Sequence, residues 1–244
     1  MRPRLIPVLL LDRDRRLVKT VRFRERTYVG DPFNVLRLFN EKEVDEICIL
    51  DIDATSDGRS PDIGFLSELA SECFMPLSYG GGLDNLYVCE RIGRAGVEKF
   101  VVGTRSRDTA LLSAMRDNFG SQAVVACLDY RGSIVGAEAA TWSAASLIER
   151  ARRAVEAGAG EIIVQSIDRD GTRSGMDLLT VAAISHAIEV PTIALGGAGE
   201  VQHMVDALKT GASAAASGSA FTFIGPLRAV LITYPDANQY PDAR

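Results

Sequence analysis

The glycine-containing segments of this sequence form two similar pairs. Gly80-Gly81-Gly82 and Gly103-Thr104 each follow a short apolar run in the first half, and Gly196-Gly197 and Gly218-Ser219 do so in the second. Glycines let backbone N–H groups approach phosphate oxygens closely, and a hydroxyl adds a further donor. The paired pattern predicts two phosphate pockets, suited to a ligand with phosphate at both ends or to a nucleotide-linked sugar. One glycine run by itself could equally be only a tight turn.

Carboxylates follow three of the apolar runs and could act as acids, bases or ligand-binding groups. Asp129 ends one run, and we interpret it as a general acid or base. Asp51 has a similar position, and Asp170-Gly171 follows a later run. Two alternatives stay open, because Asp51 could form a salt bridge with Lys19 beside the site, and Asp170-Gly171 could be only a turn.

The composition excludes several classes of function. The net charge is −5, so we expect no nucleic-acid partner, and the longest apolar run is far shorter than a membrane span. The four cysteines show no CxxC spacing, and the two histidines fall in helical patterns. We therefore expect no metal, no cofactor and no glutaminase nucleophile, and we expect a reducing cytoplasmic location.

The elements that position these residues are short apolar runs alternating with segments of helical spacing. This alternation predicts an α/β fold in which eight parallel strands, each followed by a helix, close into a single (β/α)8 TIM barrel. The predicted strands are 5–11, 46–51, 75–79, 99–103, 123–129, 161–166, 191–195 and 213–217. A doubly wound open sheet is disfavoured, because no glycine-rich turn follows the first strand.

An internal repeat supports the barrel. Ile52-Asp53 recurs as Ile167-Asp168, and the glycine segments recur at the same offset of about 115 residues. The sequence therefore predicts a two-fold repeat of half-barrels, at about 1–120 and 121–233, within one domain spanning 1–244. Residues 234–244 are expected to form a frayed tail.

Over nearly its whole length, the chain resembles the cyclase subunit of imidazole glycerol phosphate synthase, a barrel that works with a separate glutaminase. The most specific motifs are Val29-Gly30-Asp31-Pro32, Gly80-Gly81-Gly82, Ser166-Ile167-Asp168-Arg169-Asp170-Gly171-Thr172 and Gly196-Gly197-Ala198-Gly199. The resemblance implies a heterodimer with a class I glutaminase, whose ammonia enters the amino-terminal end of the barrel. It also implies a gate of four charged residues, which match Arg4, Glu46, Lys99 and Glu161 here, and it assigns Asp129 as one of two catalytic aspartates.

The chain departs from the family pattern at the other catalytic position. Leu10 stands where the family has its strand-one aspartate, and Asp12 lies two residues further on. Gly103 replaces an asparagine after strand four, and Gln165 replaces a threonine at the end of strand six. With these changes the sequence resembles a diverged branch of the family, the second-copy proteins from bacterial surface-polysaccharide gene clusters. Membership of that branch implies that ammonia is passed on for amidation of a sugar to an acetamidino group.

Three functions follow as hypotheses. The first is an ammonia-channelling barrel subunit that serves sugar amidation, and the second is an authentic cyclase subunit of histidine biosynthesis. The third is a non-catalytic scaffold that only binds and activates the glutaminase. In the first two, the rim residues bind a phosphorylated or nucleotide-linked ligand.

Overall fold

The computed structural model describes residues 3–132, 144–225, 227 and 229–236. Its central feature is a closed barrel of eight parallel strands, which confirms the predicted (β/α)8 TIM barrel. The barrel strands are β1 (Arg4–Leu11), β4 (Ile47–Asp51), β5 (Leu77–Gly80), β6 (Lys99–Val102), β7 (Val124–Tyr130), β8 (Glu161–Ser166), β9 (Thr192–Leu195) and β10 (Ala214–Ser217). Closure comes from β1, which pairs in parallel with β4 on one side and with β10 on the other.

Seven helices of the described chain surround the barrel. They are α1 (Pro32–Glu41), α2 (Ile63–Ser71), α3 (Leu86–Arg94), α4 (Thr109–Phe119), α5 (Ala144–Glu156), α6 (Leu178–Ala187) and α7 (Val201–Lys209). The side chains of Asp31, Asp62, Asn85, Asp108 and Asp177 each accept a hydrogen bond from a backbone N–H in the first turn of the helix that follows. Such caps fix where a helix begins. No helix in the described residues is long and apolar enough to cross a membrane.

Two hairpins interrupt the predicted alternation of strand and helix. After β1 the chain forms an antiparallel hairpin of β2 (Leu17–Val21) and β3 (Glu25–Gly30), which extends the sheet before α1 begins. After β10 it forms a small hairpin of β11 (Phe223–Ile224) and β12 (Ala229–Val230) instead of a helix. The predicted helix after the first strand is thus present as α1 but begins only beyond the hairpin, whereas no helix follows β10 in the part of the chain that the structure describes. The turn of the first hairpin is formed by Arg22 and Phe23, both with positive φ, and these residue types carry no turn signal.

The strands are apolar on both faces because both faces are buried. One set of side chains packs between the strands and the helices, and the other fills the barrel interior. On β7, for example, Val124 and Ala126 belong to the outer core, whereas Val125 and Cys127 point inward. Continuous apolar runs are typical of parallel strands that are covered on both sides.

Tyr234 lies at the amino-terminal end of the barrel, although the sequence places it at the start of a frayed tail. Its hydroxyl oxygen lies 2.9 Å from the Leu5 carbonyl oxygen and 2.8 Å from Asp45 Oδ2, which share its one proton as acceptors, and it accepts the Asp45 backbone N–H at 3.2 Å. Its ring also stacks against Phe221, with 5.4 Å between centroids. Tyr234 is therefore anchored, and residues 237–244 of the expected tail lie outside the described residues.

Candidate functional site

The predicted site residues meet at the carboxyl-terminal rim of the barrel, around two adjoining cavities. The larger, of about 440 Å³, is lined by Asp51, Gly81, Gly82, Gly103, Thr104 and Asp129. The smaller, of about 30 Å³, is lined by Lys19, Gly171, Gly196, Gly197, Gly218 and Ser219. Leu10, Thr20, Gln165 and Asp170 line both cavities. The rim therefore holds a larger and a smaller cavity, which adjoin each other at these four shared residues.

Most of the rim glycines are required by the packing of the loops themselves. A Cβ atom on Gly82 would lie 2.6 Å from the Arg59 carbonyl oxygen, and one on Gly196 would lie 2.6 Å from the Ser166 carbonyl oxygen. Both glycines also have positive φ, as Gly81 and Gly197 do. Gly103 differs, because a Cβ atom there would meet nothing within 4 Å. Tight turns therefore account for part of the glycine pattern, whereas Gly103 leaves open space beside the larger cavity.

Polar groups that could hold an anion line the smaller cavity. The backbone N–H groups of Gly197 and Ala198 have no hydrogen-bond partner among the described residues. The Ser217 hydroxyl accepts hydrogen bonds from the backbone N–H groups of Ser219 and Ala220, which fixes the turn after β10. Unpaired backbone donors at the rim of a barrel are typical of phosphate sites.

Lys19 supplies the positive charge of the smaller cavity. It projects from β2, is buried, and donates to the Val8 carbonyl oxygen at 2.6 Å. Burial lowers its pKa from the ordinary 10.5 to about 8, although the nearby charge of Asp170 partly opposes this shift. Asp170 accepts a hydrogen bond from the Thr20 hydroxyl at 2.8 Å, and burial raises its pKa.

Asp51 pairs with Arg59 rather than with Lys19, so the predicted alternative of an Asp51–Lys19 salt bridge is wrong. Arg59 Nη2 lies 3.1 Å from Asp51 Oδ1, and the same carboxylate oxygen accepts the backbone N–H groups of Asp53 and Ala54. Arg59 lies in the loop after β4, and sequence reasoning missed it. An arginine eight residues after a strand-ending aspartate was the available signal, but only the fold of the loop brings it back.

Asp129 lies at the end of β7, facing the larger cavity. Burial raises the pKa of its carboxyl group, and the charge of Asp170 acts in the same direction. The Cys127 thiol lies 3.6 Å from Asp129 Oδ1 and 3.5 Å from Gln165 Oε1. Burial raises the pKa of this thiol well above its ordinary value, so it stays protonated and acts as a donor. A carboxyl group with a raised pKa in an open cavity can exchange a proton with a ligand.

Leu10 and Asp12 have different environments. Leu10 lines both cavities, so the strand-one position of the site carries an apolar side chain. The Asp12 carboxylate accepts from the backbone N–H groups of Asp14 and Arg16 and from the Arg16 guanidinium. These bonds lower the pKa of Asp12 although burial acts against them, and they hold it in the turn between β1 and β2. Asp12 lines neither cavity.

The four predicted gate residues form a closed ring at the opposite, amino-terminal end of the barrel. Arg4 donates to Glu46 at 2.6 Å and to Glu161 at 2.8 Å. Lys99 donates to the same two carboxylates, at 2.8 Å and 3.2 Å. Burial would lower the pKa of Arg4, but the charges of Glu161 and Glu46 raise it. Four side chains of alternating sign thus close this end.

Above the ring, the barrel interior is almost entirely apolar. Its side chains include Ile6, Val8, Val101, Val125 and Ile163. A cavity of about 10 Å³ lies directly above the ring, beside Glu46 and Ser78. That volume is near the minimum of roughly 10–15 Å³ that one water-sized molecule requires.

Among the described residues, no group of three or more histidine, cysteine, aspartate or glutamate side chains could hold a metal ion. Besides Arg59, sequence reasoning missed Thr20, Cys127 and Phe23, all of which line the larger cavity. Thr20 and Phe23 belong to the unpredicted hairpin, and Cys127 reaches the cavity because it lies two residues before Asp129 on one strand.

Comparisons with known proteins agree with this geometry. A family model described as "Histidine biosynthesis protein" matches residues 4–225. A Pseudomonas aeruginosa protein, provisionally named imidazole glycerol phosphate synthase subunit hisF2, is 47% identical over 98% of each chain. A Vibrio vulnificus protein provisionally named as subunit hisF3 is 38% identical, covering 98% of this chain and 95% of its own. The imidazole glycerol phosphate synthase subunit HisF of a Nocardioides species is 36% identical over 92% of each chain. The chain therefore belongs to the histidine biosynthesis protein family, within the group of HisF-type cyclase subunits of imidazole glycerol phosphate synthase that includes second-copy members.

Proposed function

We propose that this barrel receives ammonia from a class I glutaminase bound at its amino-terminal end, as one subunit of a heterodimer. It delivers the ammonia to the carboxyl-terminal rim for amidation of a sugar in surface-polysaccharide biosynthesis. The observation that carries this proposal is the ring of Arg4, Glu46, Lys99 and Glu161, which closes one end of an apolar interior that adjoins the rim cavities at its other end.

The ring and the interior together suit a small neutral molecule. Charges that point into a low-dielectric interior are costly unless they pair, and these four pair completely with each other. The cavity above them has room for a molecule the size of water or ammonia. An ammonium ion would have to lose its hydration to cross the apolar layers, so ammonia crosses in its neutral form.

The rim supports a ligand that carries phosphate. The smaller cavity supplies Lys19 and free backbone N–H groups, and the larger one is lined by the guanidinium-bearing residues Arg59 and Arg105. The unequal sizes favour an unsymmetrical ligand, such as a sugar phosphate or a nucleotide-linked sugar, with a compact anion at one end.

Leu10 favours amidation over the cyclase reaction of histidine biosynthesis. An apolar side chain cannot transfer a proton, and a general acid or base typically contributes about 10²–10⁴-fold in rate. Asp12 does not replace it, because its carboxylate is held in the turn by Arg16.

The cyclase of histidine biosynthesis is the second candidate. The relatives are named as subunits of imidazole glycerol phosphate synthase, and Asp129 lines the larger cavity. Assaying the purified protein with ammonia and the histidine-pathway substrate separates the two. We expect negligible turnover, and we expect Leu10→Asp to raise it. Turnover comparable to that of an authentic cyclase would refute the amidation proposal.

The partner is tested by mixing the barrel with the glutaminase encoded beside its gene. We expect a heterodimer in which glutamine hydrolysis responds to rim ligands. Lys99→Ala should leave binding intact but raise the glutamine consumed per product formed, and Lys99→Arg, which keeps the charge, should restore part of the coupling. If no complex forms even with ligand present, the channelling proposal fails. If instead rim substitutions leave the function of the complex intact, the barrel acts as a scaffold.

A further inference from the structure

We propose that at alkaline pH the smaller rim cavity binds its phosphate group together with one proton, which Lys19 takes up. The inference rests on the proposed function only in assigning a phosphate group to this cavity. It adds that the two rim cavities hold anions beside different cations, a lysine in the smaller one and arginines in the larger one, and that of these cations only the lysine changes its charge between pH 7 and pH 9.

The first argument is where the Lys19 ammonium lies. Lys19 is buried, and its Nζ atom has a single hydrogen-bond acceptor among the described residues, the Val8 carbonyl oxygen. The turn after β10 leaves room for it, because a Cβ atom on Gly218 would lie 2.8 Å from Nζ. The ammonium therefore lies in the wall of the cavity and is poorly solvated until an anion enters.

The second argument concerns the charges around Lys19. From β1 it faces a backbone carbonyl, from β3 the uncharged Thr27, and from the turn after β10 the backbone of Gly218. From the loop after β8 it faces Asp170, which attracts it without forming an ion pair. The Asp170 carboxylate also accepts a hydrogen bond from the Thr20 hydroxyl, and burial raises its pKa, so it compensates the Lys19 charge only in part. The pKa of Lys19 consequently falls to about 8.

An anion in the cavity changes this balance. Its negative charge lies against the ammonium and stabilises the protonated form, so the pKa of Lys19 rises on binding. Near pH 7 the free protein is already mostly protonated at Lys19. Above pH 8 it is mostly neutral there, and binding must then draw a proton from the solvent.

The cations beside the larger cavity lack this linkage. They are Arg59 and Arg105, whose guanidinium groups stay charged at every pH of interest. The size of the smaller cavity, about 30 Å³, also restricts it to a compact anion, whereas a sugar ring must occupy the larger one. The structure thus assigns the terminal phosphate monoester of an unsymmetrical ligand to the smaller cavity.

Sulfate is the appropriate probe, because it mimics phosphate in shape and does not itself titrate between pH 7 and pH 9.5. Calorimetric titrations with sulfate in two buffers of different ionisation enthalpy give the affinity and the number of protons taken up. For wild type we expect an affinity about tenfold lower at pH 9 than at pH 7, with uptake of about 0.9 proton at pH 9. Gly103→Leu, which narrows the larger cavity, should leave this pH dependence unchanged.

Variants assign the proton. Lys19→Met should abolish the pH-dependent binding. Asp170→Asn should keep the fall in affinity but move it to lower pH, because the charge that raises the pKa of Lys19 is then lost. Lys209→Met serves as the matched control, because Lys209 is exposed at the end of α7, away from the rim, and should behave as wild type. The proposal is overturned if wild-type sulfate binding is absent or independent of pH, or if Lys19→Met retains the same pH dependence. The wild-type measurement decides the matter even if a variant fails to fold. Since no glutaminase is present, failure here is separable from failure of the channelling proposal.

Discussion

Glu46→Gln tests whether the charged ring is one energetic unit. The Glu46 carboxylate is 4% exposed and accepts from Arg4 at 2.6 Å, from Lys99 at 2.8 Å and from the Ser78 hydroxyl at 3.2 Å. Glutamine keeps the shape but removes the charge, so two cations then face Glu161 alone. Breaking a buried pair by removing one partner typically costs about 3–5 kcal/mol.

The expected cost here is smaller, because the Arg4 and Lys99 side chains are 19% and 18% exposed and water can partly solvate them. We expect Glu46→Gln to lower the free energy of unfolding by about 2–3 kcal/mol, measured by urea denaturation at pH 7. Adding Lys99→Met to Glu46→Gln makes the ring neutral again and should recover at least half of that loss.

Glu72→Gln is the control, since the Arg37–Glu72 pair is 3.2 Å long but has side chains that are 59% and 41% exposed. We expect it to change the free energy of unfolding by at most about 0.5 kcal/mol. A similarly small effect of Glu46→Gln, or a double variant that loses the sum of the two single effects, would refute the view of the ring as a coupled buried network.

Three further outcomes are expected. Gly103→Leu should leave the melting temperature nearly unchanged but weaken anion binding in the larger cavity, as measured by sulfate titration. Gly196→Ala should lower the melting temperature in thermal unfolding, because the added Cβ atom meets a backbone oxygen and the residue has a φ of 99°. Between pH 8 and pH 10.5 the unfolded chain binds the Lys19 proton and the folded chain does not, so Lys19 should make wild-type stability rise with pH by about 3 kcal/mol at most relative to Lys19→Met. The buried thiols, whose pKa burial raises, act in the opposite direction in both proteins, so the comparison of the two by urea denaturation isolates Lys19, and an identical pH dependence would contradict the assignment. Tyr234→Phe keeps the ring contact with Phe221 but loses the hydrogen bonds that the hydroxyl donates and accepts, so its free energy of unfolding should fall by about 1–2 kcal/mol, and an unchanged value would show that the anchor is not stabilising.

The barrel and the general place of the site could be predicted from the sequence. Each barrel strand coincides within two residues with an apolar run, because burial on both faces leaves little freedom in residue type. Residues at the two ends of these runs then lie at the two ends of the barrel. This geometry places Asp129 at the rim and Arg4 and Lys99 at the base.

Other features depend on contacts between residues far apart in the chain. The hairpin of β2 and β3 turns at Arg22 and Phe23, which both have positive φ. Neither arginine nor phenylalanine favours positive φ, so the sequence did not predict the hairpin or its position over the rim. The sequence also left open which basic residue pairs with Asp51. The path of the loop after β4 brings Arg59 to Asp51, whereas Lys19 bonds the Val8 carbonyl oxygen.

The sequence by itself determined which residue types stand at the ends of the strands, including the leucine at position 10, because strand ends follow from local apolar patterning. Only the tertiary structure decided that the rim is divided into two unequal cavities and that Lys19 is buried in the wall of the smaller one. It also decided that the four base charges form a closed ring. The physical reason is that cavity volume, desolvation and ion pairing depend on distances between separate strands, which barrel closure sets and local sequence does not encode.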